Sequence, residues 1–346
     1  MKKLLSIIPL LLILIITQTG CGTVDPVAKT SYYLDTVCTI TIYDMQEMSE
    51  ETAKAVIDEG FATCNEYEQL LSKTKENSDI ARINRASGKA TTVDPRTIDV
   101  IGKGIYYGDL SDGKFDITVG KATDLWDFHS ENPKVPRDAD LAEAVACVDY
   151  KQIKIDKGQN TVRLTNPNAQ IDLGGIAKGY IADKVAETLK AKGVTNAVID
   201  LGGNIVCIGG KPDSGGFGGS SGPVDYNIGI ERPYSDRSEI IGSVPMQNQT
   251  IVTSGVYERC FTVGDKTYHH ILDVKTGYPV DSDVEAVTIV AQLGQSVDCD
   301  GLSTTCLLLG VEEGKKLIES IDGVEALFID KDDKITYTSG MKFNEE

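Results

Sequence analysis

The chain is poor in positive charge. Its 34 lysines and arginines stand against 52 aspartates and glutamates, a net charge of −18 over 346 residues. An acid excess of this size excludes electrostatic binding of nucleic acid, which needs a basic footprint to release phosphate counterions. It equally excludes charge-driven adsorption to anionic lipid, because no polybasic patch is present. Histidine occurs three times and tryptophan once. Eight cysteines are too few for a disulfide scaffold at this length, and none forms a C-x-x-C pair. A zinc ribbon and a thioredoxin-like redox site are therefore left out. The sequence also lacks a Walker A loop, a G-x-G-x-x-G fingerprint, an internal repeat and any long low-complexity tract. What remains is ordinary globular composition, 41% hydrophobic and 25% charged, enough for one large domain or two small ones.

The first residues stand apart. Lys2 and Lys3 precede a stretch from Leu4 to Ile16 that is apolar except for Ser6 and Pro9, and Gln18-Thr19-Gly20-Cys21 closes it. This run is shorter than the roughly 20 residues that cross a bilayer, so it reads as a secretory h-region. Small residues before a cysteine are similar to a bacterial lipobox. Residues 1–20 are thus expected to be a lipoprotein signal peptide, with Cys21 lipidated as the mature N-terminus. Residues 21–30 would be a polar tether and residues 31–346 the folded domain. Such a chain is anchored to the extracytoplasmic face of the cell membrane without spanning it. Removing the signal removes Lys2 and Lys3 and leaves a net charge of −20 from 32 basic and 52 acidic residues.

Periodicity places a strand over Val37–Tyr43 and a long amphipathic helix over Glu50–Leu71, where Ala53, Val56, Ile57, Phe61, Cys64 and Tyr67 recur at helical spacing. Helices follow over Thr97–Leu110 and Asp140–Ala146, then strands over Ile153–Ile155, Thr161–Leu164 and Ala169–Asp172. A helix runs from Ala177 to Ala191 and is stopped by Gly193. Ala197–Ile208 reads as a strand interrupted by Gly202-Gly203, and Gly209–Gly222 as a mobile glycine-serine loop. Further strands are predicted at Asn227–Ile230, Ile251–Thr253, Cys260–Val263, Tyr268–Asp273 and Val287–Ala291. Helices at Ser296–Leu309 and Glu312–Ile321 and a hairpin turning at Asp332-Asp333 complete the chain. Strands and helices mix without strict βαβ alternation, which favours an α+β fold with mixed or antiparallel sheets.

Four segments have chemical content. Asp172-Leu173-Gly174-Gly175-Ile176-Ala177-Lys178-Gly179-Tyr180 joins a strand to a helix. Its paired glycines admit a ligand close to the backbone, and the helix N-terminus favours an anion there. Lys178 in the first turn opposes the helix dipole and calls for an anionic partner. On spacing alone the same turn is equally a packing feature. Asp300 and Thr304, at i and i+4, put a carboxylate and a hydroxyl on one helix face, a pair that suits a hard cation such as Mg²⁺. Such a pair on a helix usually has no function. Tyr268–Pro279 contains His269 and His270, which face opposite ways on a strand, so only one enters any one site and the other is a surface group. Gly113–Gly120 and Thr253–Arg259 are polar turns that say little singly.

In this order the segments resemble the ApbE-type flavin transferases, or FAD:protein FMN transferases. The resemblance runs from Tyr33-Leu34-Asp35-Thr36, through Gly113–Gly120, Asp172–Gly179, Asp200-Leu201-Gly202-Gly203-Asn204, Thr253–Arg259 and His270–Pro279, to Cys299–Thr304. It implies an ApbE-like fold, with residues 31–346 as the catalytic domain. By similarity Asp172 and Lys178 contact FAD, and the Gly175 carbonyl, Asp300 and Thr304 ligate Mg²⁺. Lys114, Phe115 and Asp116 line the nucleotide, Leu34 makes an early contact, and His270 and Leu272 belong to the active-site strand. His269 has no equivalent there. Gly175 replaces a commoner alanine, Lys121 a proline and Val256 an acidic residue.

The implied reaction moves FMN from FAD to a threonine hydroxyl of an exported acceptor flavoprotein with a Ser-Gly-Ala-Thr-like motif, and AMP leaves. His270 or a nearby carboxylate would take the threonine proton, since imidazole titrates near neutral pH. Two alternatives use the same residues. One is a Mg²⁺-dependent FAD pyrophosphatase giving FMN and AMP. The other is a non-catalytic flavin-binding lipoprotein.

Overall fold

The computed structural model describes residues 25–44, 47–128, 130–212, 222–235 and 239–346. The expected signal peptide, Cys21 and residues 213–221 of the glycine-serine loop lie outside the described residues.

A hairpin of β1 (Val27–Tyr33) and β2 (Thr36–Ile42) comes first. The stretch expected as a tether is therefore already strand from Val27, paired residue for residue with β2 and anchored by the buried Val27. Ser49 accepts the Thr52 N–H at 3.1 Å and opens α1 (Glu50–Leu71), whose apolar stripe is buried as its spacing requires. Ser78 caps α2 (Asp79–Arg85), whose seven residues are too few to show a clear period in the sequence. β3 (Thr91–Thr92) follows, then α3 (Pro95–Leu110), whose first residue is a proline behind the Asp94 cap. Next come α4 (Gly120–Trp126), α5 (Asp138–Val145), β4 (Ile153–Asp156) and β5 (Thr161–Leu164).

The strand expected at Ala169–Asp172 does not form. The Asp172 N–H goes to the Ile117 carbonyl at 2.8 Å and the Ile171 N–H to Asn84 Oδ1 at 2.7 Å, so this backbone is satisfied without a ladder. α6 (Ala177–Ala191) then leads to β6 (Ala197–Leu201) and β7 (Asn204–Ile208), folded back on each other at Gly202-Gly203. β8 (Tyr226–Glu231), β9 (Ile240–Met246), β10 (Gln249–Gly255), β11 (Cys260–Val263) and β12 (Lys266–His269) follow. The strand expected to reach Asp273 stops at His269, because the Asp273 N–H and carbonyl close a turn with Tyr278 and Gly277. The chain ends with β13 (Val284–Gln292), α7 (Ser296–Leu309), α8 (Val311–Glu319), β14 (Glu325–Asp330), β15 (Ile335–Tyr337) and β16 (Asn344–Glu345).

Eight strands make the central sheet in the order β1-β2-β6-β7-β10-β13-β14-β15, antiparallel at every ladder. One face carries α1, α6 and α7; the other is covered by the small sheet β16-β9-β8. β14 shows the consequence: Ala326 and Phe328 enter the helical side while Leu327 and Ile329 enter the other, so the strand is apolar throughout. The seven cysteines among the described residues are unpaired, and all but Cys260 are buried. Among the described residues no helix is long and apolar enough to cross a membrane.

A third cluster surrounds Trp126, which is fully buried and donates from Nε1 to the Gly277 carbonyl at 2.7 Å. Phe128, Phe261, Tyr268 and Tyr278 ring it, and Leu272 and Leu141 fill the base. Because Trp126 is the only tryptophan, its fluorescence reports this cluster alone. Leu272→Ala is expected to cost about 2–5 kcal/mol of stability and to shift Trp126 emission to the red. Unchanged melting and emission would refute this packing role for Leu272.

Candidate active site

α6 and α7 complete each other. Neither begins with a local side-chain cap: Ile176 offers α6 none and Gln295 offers α7 none. Asp300 of α7 instead accepts the Gly179 N–H of α6 on Oδ2 at 2.9 Å. In return Asp183 of α6 accepts from the Ser296 and Val297 N–H groups of α7 at 3.0 and 3.1 Å. Each carboxylate thus satisfies first-turn donors of the other helix. Gly179 makes the approach possible, since a Cβ there would lie 2.2 Å from the Ser296 carbonyl oxygen and 2.7 Å from Asp300 Cβ.

Asp300 is 2% exposed, and burial pushes its carboxyl above the usual range against the opposing pull of Lys178 and the Gly179 N–H. Thr304 is half-buried one turn further along. A Cβ on Gly175 would sit 3.3 Å from the Thr304 hydroxyl oxygen and 3.1 Å from the Phe115 ring, so the glycine turn lies directly against the Asp300–Thr304 face. Asn204, at the start of β7, is fully buried, and its side-chain amide beside Asp300 pulls the carboxyl's pKa down. Lys178 acts electrostatically on both Asp300 and His270. Segments more than 100 residues apart in sequence meet here.

Other candidates have firm structural employment. Asp172 accepts from Gly174 N–H at 2.8 Å on Oδ1, and from the Thr123 hydroxyl and Lys73 Nζ at 2.9 Å each on Oδ2. Burial pushes its carboxyl up, but the Lys73 ammonium and these hydrogen bonds prevail and hold it below the usual range. Asp116 is buried and accepts from Thr118 N–H and hydroxyl at 2.7 and 2.6 Å and from Tyr150 N–H at 2.8 Å. Phe115 is buried edge-on to Tyr107, and Lys114 is exposed. Leu34 and Asp35 form the two-residue turn of the first hairpin with φ of 56° and 57°. That region disfavours leucine, and Glu68 holds the turn by accepting the Leu34 N–H at 3.2 Å. Leu272 belongs to the Trp126 cluster.

His270 is partly buried, its Nδ1 3.3 Å from the Arg259 carbonyl oxygen. Burial first, then Arg259, His269 and Lys178, push its pKa down to about 3. The imidazole is thus neutral near pH 7, able to accept a proton but far from the near-neutral titration expected of it. His269 is not the surface group its position predicts: its Nδ1 is buried without a hydrogen bond, and burial lowers its pKa to about 4. The strand ends here, so strict alternation no longer applies. Lys73 and Asp183 escape sequence reasoning altogether. Lys73 lies in a polar loop without a motif, and Asp183 stands out only as a carboxylate between the apolar Ile181-Ala182 and Val185-Ala186 of one helix.

Residues 34–328 match the model of the ApbE family, and the chain belongs to that family. It is 31% identical over 328 residues to the FAD:protein FMN transferase of Treponema pallidum, covering 93% of this chain and 89% of that one. It is 32% identical over 290 residues to a protein of the same name from Klebsiella pneumoniae, covering 84% and 86% of the two chains. The ApbE protein of Thermotoga maritima shares the fold with a TM-score of 0.80 at 28% identity, over 91% of this chain and 97% of that one. The flavin transferase ApbE of Vibrio cholerae does so with a TM-score of 0.75 at 27% identity, over the same shares. The α+β fold expected from the sequence is the fold found.

Two predictions follow from this geometry. Gly179→Ala must displace backbone, and a loss of about 1–3 kcal/mol or more is expected, whereas Gly175→Ala asks its neighbours for a few tenths of an ångström and should cost less than about 1 kcal/mol. Equal melting temperatures for the two variants would contradict the close approach. Both histidines have folded pKa values below their ordinary 6.5, so the unfolded chain binds protons that the folded one refuses. Their contribution is complete above pH 6.5 and is lost as pH falls towards 3. Thermal unfolding across that window should show less acid sensitivity in a His269→Gln/His270→Gln double variant; an identical slope would remove the histidines as its source.

Proposed function

We propose that the protein transfers FMN from FAD to a threonine hydroxyl of an exported acceptor flavoprotein, with Mg²⁺ as cofactor. The observation that supports this most is the close approach of the glycine turn at Gly175 to Thr304, one helix turn from the buried Asp300 on which Lys178 acts. Among the described residues no group of three or more His, Cys, Asp or Glu side chains is placed to hold a metal. A cation here would draw on one buried carboxylate, one hydroxyl and the Gly175 carbonyl, an all-oxygen set suited to Mg²⁺ that leaves room for substrate oxygens. The residues fit the ion. Bound there, Mg²⁺ supplies neutralisation of charge on the pyrophosphate oxygens.

The chain's own groups do the rest. Lys178 and the start of α6 offer positive potential to the dinucleotide. The threonine oxygen of the acceptor bonds the FMN phosphorus while the bond from that phosphorus to the bridging oxygen breaks, and AMP departs with that oxygen. The hydroxyl proton passes to His270, which is neutral and free to accept it, or to a nearby carboxylate. Burial is the main reason His270 is a weak base, and a dinucleotide pyrophosphate close to Lys178 would offset only the smaller part that this ammonium contributes. Export and lipidation at Cys21 complete this proposal, supported by Lys2, Lys3, the apolar run and the lipobox-like ending.

The test is direct. The protein is incubated with FAD, Mg²⁺ and an exported protein bearing a Ser-Gly-Ala-Thr-like segment, and the acceptor is weighed by mass spectrometry. An added FMN is expected, with rates lowered about 10–100-fold in Asp300→Asn and Thr304→Val and abolished by excess EDTA. Undiminished transfer in EDTA would eliminate the metal. Many equivalents of free FMN without an acceptor would indicate hydrolysis instead.

A further inference from the structure

Lys73 leaves the end of α1 on a short loop that Ser72 stiffens, its hydroxyl oxygen accepting the Thr74 and Lys75 N–H groups at 3.2 and 3.3 Å. The ammonium reaches three acceptors: Thr123 Oγ1 at 2.8 Å, Asp124 Oδ1 at 2.6 Å and Asp172 Oδ2 at 2.9 Å. A lysine has three N–H donors, so all are committed and none is left to bind a phosphate. Asp172 is the centre of this arrangement. Its backbone N–H holds the Ile117 carbonyl at 2.8 Å, and its Oδ1 holds the Gly174 N–H at 2.8 Å, one residue before the Gly175 that lies against Thr304.

We propose that Lys73 is a positioning residue that presets the Gly174-Gly175 turn for Mg²⁺ and FAD by fixing Asp172. The inference rests on the function proposed above and names a residue outside the set that the sequence predicts. Lys73 points Oδ2 towards itself and Thr123, which leaves Oδ1 aimed at Gly174. Burial works against the ammonium, but Asp172 and Asp124 outweigh it and keep it protonated. With an uncharged residue in its place, Asp172 loses its counter-charge and the orientation of its carboxyl plane. The turn would then have to be ordered by the ligand, and the loss would appear in binding rather than in turnover at saturation.

FAD binding to the full chain is followed by flavin fluorescence over a Mg²⁺ titration, and initial transfer rates are measured beside it. For Lys73→Met the half-saturating Mg²⁺ and the FAD dissociation constant should each rise by about 10–100-fold, as for groups that orient metal ligands, with kcat changed less than about threefold. Thr123→Val keeps the ion pair and removes one acceptor, so a smaller rise in the same two quantities is expected, and it tests the proposal if Lys73→Met does not fold. Wild-type binding in either folded variant overturns the inference alone. A wild-type chain that binds no FAD overturns the functional reading and this inference with it.

Discussion

The site depends on an exchange of carboxylates between two helix starts. α6 and α7 both lack caps of their own, and each borrows one from the other: Asp300 for the Gly179 N–H, Asp183 for Ser296 and Val297. Neither helix can slide without exposing unsatisfied donors on both. The exchange needs the missing side chain of Gly179, so a single glycine sets the separation of the two helices. It also fixes where Thr304 faces the glycine turn, which makes the packing constraint and the chemical constraint one and the same.

Two lysines stand among the carboxylates around that pair. The chain as a whole is strongly acidic, and here Lys178 acts on Asp300 and His270 while Lys73 pairs with Asp172 and Asp124. The two lysines divide the labour. Lys73 has spent its donors on the protein, while Lys178 makes no contact ion pair among the described residues. Under the function proposed above, an incoming pyrophosphate would meet the uncommitted Lys178 ammonium, not the committed Lys73.

Long periodic elements were legible before folding: Glu50–Leu71, Ala177–Ala191 and Ser296–Leu309 are helices to the residue. What escaped was short or settled by partners distant in sequence. α2 and α4 have seven residues each, too few for a period. Ala169–Asp172 has strand-like composition, but Asn84 and Ile117 take its backbone donors. The same division holds at the site. Asp300 and Thr304 acquired meaning from the company of the other motifs, not from their spacing. Lys73 and Asp183 have no local signature, since their importance lies in what they reach across the fold. Conversely, Asp116 and Leu272 belong to recognisable motifs and turn out to be engaged in holding the scaffold.

The unpaired cysteines bear on where such a protein can persist. Thiol chemistry requires a thiolate and access to it. Burial pushes Cys64, Cys207 and Cys306 up to about 12 and Cys38 to about 11, and it raises Cys299 and Cys260 as well. At neutral pH these sulfurs are almost wholly protonated, and all but Cys260 are enclosed by the fold. Among the described residues the six buried thiols therefore neither form bonds nor offer reactive sulfur to an oxidant. Their redox inertness is kinetic, conferred by packing, and it lasts as long as the core stays shut.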